Sequence, residues 1–203
     1  MTNALLTASW RVVARPPLLI PVGFALLLIA ATWPWLDDGY AARVRVVVTI
    51  VLACGLAASA DDPVSEVVAA SPYPRALRCA MRLLVGLSLV LPAAALSLLL
   101  VEQQVSATPS TEVIVQVLAL LIVGPAIGFG MWAWGDVTQA KYAATAGVLC
   151  FSFALWALPA TWSVIKVQPW GPPWEGMLIR SGALVLLGLA ILTAAWREPH
   201  ARR

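Results

Sequence analysis

The chain has 203 residues, of which 61% are hydrophobic and only 11% charged, with a formal net charge of +3 and a mean hydropathy of +0.88. Soluble domains carry roughly a quarter charged residues, so this composition excludes a water-soluble globular protein and predicts an all-α, polytopic membrane protein. The positive balance then reflects the distribution of Lys and Arg about a bilayer, with anionic lipid rather than nucleic acid as its counterpart.

Near the start, Asn3, Thr7, Arg11 and Arg15 recur every four residues, while Leu5, Leu6, Trp10 and Val13 fall on the other side of the helical wheel. Residues 1–16 therefore read as a helix lying flat in the membrane interface, the alternative being a frayed tail. Pro16 and Pro17 break that helix and start the first apolar run at an angle. That run is too long for a signal-peptide core, and it ends in Trp-Pro-Trp-Leu-Asp-Asp without a small-residue cleavage site.

A helical span takes about 20 mostly apolar residues. Six runs meet the requirement, at residues 18–36, 44–60, 83–101, 113–134, 143–162 and 177–196. The second is short, with Arg43 and Arg45 expected to snorkel toward the headgroups. An N-terminus on the cytoplasmic side puts Arg11, Arg15, Arg75, Arg78, Arg82, Lys141, Arg197, Arg202 and Arg203 inside and leaves Arg43, Arg45, Lys166 and Arg180 outside. The excess of basic residues marks the cytoplasmic face, so both termini are expected there, with the protein in a plasma or bacterial inner membrane.

Between the second and third runs stands DDPVSEVVAASPYPRALR, residues 61–78. Asp62 is a good N-cap and Pro63 suits the first helical position. A helix of about two turns can follow, with Val64, Val67 and Val68 on one face, spaced to dock in a groove. Ser71-Pro72-Tyr73-Pro74 ends it, because a residue before proline is pushed out of the α region. The alternative is a solvated loop with a capped turn.

The remaining loops carry weaker signals. Residues 102–112 read as a polar external turn, and 135–142 as a short cytoplasmic link with a second candidate contact around Asp136, Thr138 and Gln139. The external segment 162–176 holds Trp162, Trp170 and Trp174 among prolines, a composition that favours the headgroup level or a partly re-entrant lid.

Several chemistries lack their residues. Lys141 and Lys166, the two lysines, follow no glycine-rich turn, so there is no P-loop. His200 is the single histidine and lies in the tail, which leaves no candidate base or histidine metal ligand within the spans. Cys54, Cys79 and Cys150 show no disulfide or metal spacing. The predicted span centres hold no ionisable residue, which disfavours a proton-coupled carrier. They do hold Pro92, Pro125 and Pro159, and Gly124 and Gly128 at GxxxG spacing, devices of kinking and close helix approach.

An interfacial N-terminal helix, two spans, a cytoplasmic helix closed by Ser-Pro-x-Pro and four further spans resemble the permease subunits of ABC transporters of the ABC-2, exporter-like type. The stretch from Glu66 through Ser71 and Pro72 to Arg75 is similar to that family's acidic residue, small apolar helix, Ser/Thr-Pro turn and basic residue. Asp61-Asp62-Pro63 departs from the family, which often has a longer charged run with a glycine at this point.

The resemblance implies that residues 61–78 form a coupling helix seated on a cytoplasmic ABC ATPase subunit, with contacts from Asp62, Val64, Glu66, Val67, Val68, Ser71, Pro72, Tyr73 and Arg75. It further implies ATP and Mg on that partner and none in this chain, no catalytic residue here, and a second permease subunit, identical or related. The span faces suit export of a hydrophobic or amphipathic substrate. The alternative function is a non-transporting scaffold that anchors a cytoplasmic partner through the same helix; a membrane-embedded enzyme is a third, with no residue constellation behind it.

Overall fold

A computed structural model of the chain describes residues 16–32, 38–59, 75–102, 110–134, 140–158 and 174–196. Among these the fold is entirely helical: α1 (Pro16–Thr32), α2 (Asp38–Ser59), α3 (Arg75–Glu102), α4 (Ser110–Trp134), α5 (Ala140–Ala157) and α6 (Trp174–Trp196). Proline punctuates the starts. It opens α1, and Pro74 and Pro173 stand just before α3 and α6, positions where its fixed φ and missing N–H do no harm.

Four stretches are long and apolar enough to cross a bilayer: Ala42–Ser59 in α2, Ala80–Leu99 in α3, Val113–Met131 in α4 and Gly176–Ala194 in α6. The apolar parts of α1 and α5, Leu18–Thr32 and Tyr142–Ala157, are shorter. These six helices coincide with the six apolar runs, although their ends differ. α3 begins at Arg75, eight residues before the expected start of its run, so the basic positions 75, 78 and 82 ride on its first turns. α5 ends at Ala157, short of the expected 162. The interfacial helix expected at the N-terminus lies outside the described residues, except for Pro16, which belongs to α1.

Packing is organised around α2 and α4. The apolar window of α4 is 72% buried and that of α6 only 22%, which separates the centre of the bundle from its rim. On the rim Ile20, Phe24 and Leu27 of α1 and Ile179, Leu186 and Leu187 of α6 are exposed. Lipid covers such surfaces at no cost, and association between the helices therefore rests on close van der Waals fit. Phe153 and Trp156 of α5, both exposed, lie 6.4 Å apart in a tilted pair.

The fit is achieved with glycines. At each of five interfaces a glycine packs so closely that a β-carbon would crowd its neighbour: Gly55 of α2 against Pro21 and Leu18 of α1, Gly86 of α3 against Leu56, Gly124 of α4 against Ala53 of α2, Gly147 of α5 against Ile127, and Gly188 of α6 against Ile122. The closest approach is at Gly124, where the opposing atoms are the Ala53 carbonyl and Cα, main chain rather than side chain. Here the two backbones are in contact.

The same contacts give direction and register. Along α2 and α4 the paired positions rise together: Val48 and Leu52 cluster with Val117 and Leu121, Ala53 meets Gly124, and Ala57 packs with Ile127. These helices run parallel. So do α4 and α6, where Leu120 packs with Leu184, Ile122 with Gly188 and Phe129 with Leu192. α5 opposes α4, since Gly147 faces Ile127 whereas Leu155 clusters with Leu120.

Candidate functional site

The residues that the sequence singles out as an ATPase contact fall almost entirely outside the described residues. This holds for Asp62, Val64, Glu66, Val67, Val68, Ser71, Pro72 and Tyr73, and for Asp136, Thr138 and Gln139. Arg75 is the exception, as the first residue of α3. The segment 61–78 therefore ends inside a long helix, and anything that turns Arg75 turns the third apolar run with it.

Within the bundle, polar side chains follow a rule with instructive exceptions. A hydroxyl among apolar helices loses water and must find an acceptor nearby. Thr49 donates to the Arg45 carbonyl at 2.8 Å, Ser59 to Leu56 at 2.7 Å and Ser97 to Ala94 at 2.7 Å; Thr32, on the edge, donates to Leu28 at 2.7 Å. Each is satisfied by its own preceding turn. Ser181 is not. Its Oγ is buried without a partner, as are both Oε1 and Nε2 of Gln116.

Gln116 and Ser181 are 2% and 1% exposed, and Arg45, near the start of the Ala42–Ser59 window, is 4% exposed. Arg45 lies on the helical face of Val48, Thr49 and Leu52, all of them buried. Arg43, two residues earlier, is on the exposed side. An unsatisfied buried polar group costs about 1–3 kcal/mol.

Register sets the three at a similar height along their helices. Eight residues before the contact of Ala53 with Gly124 stand Arg45 on α2 and Gln116 on α4. Six residues before Ile122 is again Gln116, and seven before its partner Gly188 is Ser181. Ser181 shares the face of Gly188 two turns on and so looks toward α4. Gln116 lies one turn from Leu120, which shares a cluster with Val46 of α2 and Leu155 of α5, with Leu184 of α6 packed against it. Three unlike polar groups thus occupy one level of three parallel helices. Sequence reading missed this because one amide and one hydroxyl in apolar helices carry no pattern until the register is known.

Cys54 and Cys150 are free thiols, and no group of metal-ligating residues occurs among the described residues. No family model matches the chain, and no curated protein or solved structure matches it either. Helices of this length and apolarity, packed through glycines with a lipid-facing rim, make the chain an all-helical membrane protein.

Proposed function

We propose that the chain is the membrane permease subunit of an ATP-driven transporter of the ABC-2, exporter-like type, powered by a separate cytoplasmic ATPase and moving a hydrophobic or amphipathic substrate. In this reading all six apolar helices cross the membrane, both termini are cytoplasmic, and two permease subunits pair to form the pathway. The observation that carries it is the segment DDPVSEVVAASPYPRALR between two long apolar helices. Its capped start, valine face and double-proline stop suit a rigid helix that docks on a partner.

Mechanically, ATP closes the partner's nucleotide sites and the docked helix moves with them. The Pro72 and Pro74 turn resists bending, so the displacement reaches Arg75 and the start of α3.

The test is co-expression of the tagged chain with ABC ATPase candidates encoded beside it, comparing wild type with Glu66→Arg and Val67→Asp. A stoichiometric complex with ATPase activity is expected for wild type. Either substitution should dissociate it or lower its ATPase activity at least severalfold. A chain that purifies alone, or variants that behave as wild type, would remove the docking role from this segment and favour a non-transporting scaffold.

A further inference from the structure

We infer that α4 carries a hinge at Gly124 and Pro125, about which its second half, residues 126–134, swings relative to its first. The device does not depend on the permease reading. Pro125 has no N–H, so the Leu121 carbonyl lacks the donor that an α-helix would give it at position 125. Gly124 has no β-carbon to clash with the following proline ring, which frees the one residue that a proline otherwise restricts. The same glycine meets the Ala53 main chain. α4 is therefore held to α2 at this point, and a bend there turns the helix about a fixed fulcrum.

Packing decides which proline can act in this way. Three described helices have an internal proline: Pro21 in α1, Pro92 in α3 and Pro125 in α4. Leu18 and Ala25, on either side of Pro21, belong to one apolar cluster, and Val90 and Ala93, on either side of Pro92, belong to the same one. A bend at either proline would split a single close-packed core.

Pro125 falls between cores instead. Before it, Val117 and Leu121 pack with Val48 and Leu52, and Leu120 with Val46 and Leu155. After it, Ala126 and Phe129 pack with Leu192, and Ile127 against Ala57, Ala144 and Val148. Ile122 reaches across, since it precedes the proline but packs with the later group. Packed cores shift as units rather than deform continuously, so the second half of α4 moves with the start of α5 and the end of α6. Where this group borders α2 it meets Ala53, Cys54 and Ala57, small side chains that interlock little.

Nitroxide pairs on the full chain in lipid nanodiscs, in a background without the native cysteines, read the hinge. One pair, Ile20 with Met131, reports on the second half of α4; the other, Ala30 with Ile114, reports on the first. The first pair's distance distribution should be about twofold broader than the second's, or split in two. Pro125→Ala, which restores the N–H, should narrow it to the width of the second pair, and Pro92→Ala should leave it unchanged. Equal widths for the two pairs in wild type would overturn the inference without any variant. So would breadth that survives Pro125→Ala in folded protein, or that Pro92→Ala removes equally. Should Pro125→Ala not fold, Pro125→Leu restores the same N–H and takes its place.

Discussion

At the scale of single residues, the outcome at each position depends on what faces it. Gly124 faces main chain, which cannot rotate away, so a methyl group there forces α2 and α4 apart. Gly124→Ala should destabilise the protein by about 1–3 kcal/mol, the range of overpacking, read as a lowered midpoint of denaturation in mixed micelles. Gly188→Ala crowds mainly the Ile122 side chain, with Cγ2 2.9 Å from the added carbon and the main-chain oxygen at an ordinary 3.6 Å, and should cost less. Gly23→Ala meets nothing within 4 Å and should be neutral or stabilising by up to about 1 kcal/mol, the helix preference of alanine over glycine. Spacing alone marked Gly124 as a close-approach position, but Gly55, Gly86, Gly147 and Gly188 could not be told from it in sequence, since each is explained only by the neighbour it meets. The burial of Arg45 was likewise not readable from its place near a span end, since it follows from the helical face it shares with Val48 and Leu52.

At the scale of elements, hydropathy was sufficient to locate the helices, because a bilayer demands length and apolarity and little else. It failed at their ends. α3 extends back to Arg75 because arginines have good helix propensity and can ride on a helix outside the apolar window, a continuation that a hydropathy run does not register. This extension sharpens the expected behaviour of the double-proline turn. In the permease reading, Pro72→Ala with Pro74→Ala should leave the ATPase bound but loosen its connection to α3. The complex should still purify intact and hydrolyse ATP, while substrate stimulation of that hydrolysis falls severalfold. Dissociation of the complex instead would mean that the prolines shape the docking surface itself.

For the whole molecule, alternation of direction from helix to helix accords with a chain that crosses and recrosses the bilayer. Parallel α2, α4 and α6 are interleaved with oppositely directed neighbours. If both termini are cytoplasmic, as the Lys and Arg distribution predicts, cysteines placed at Thr2 and Ala201 in a variant lacking the native three should resist a membrane-impermeant maleimide in intact cells and react after permeabilisation. Labelling of either in intact cells would invert or break the topology. The segment proposed to dock was legible only as local chemistry, cap, stripe and stop, and all of it before Arg75 lies outside the described residues.

The most direct measurement is the distance between nitroxide labels at Ala31, near the end of α1, and Ile179, near the start of α6, both exposed positions, in the complex reconstituted with the proposed ATPase. The permease account predicts that ATP and Mg shift the distance distribution and that hydrolysis restores it. An unchanged distribution while the bound ATPase turns over would contradict it, and would leave the chain as an anchor for an enzyme whose motion never reaches the membrane.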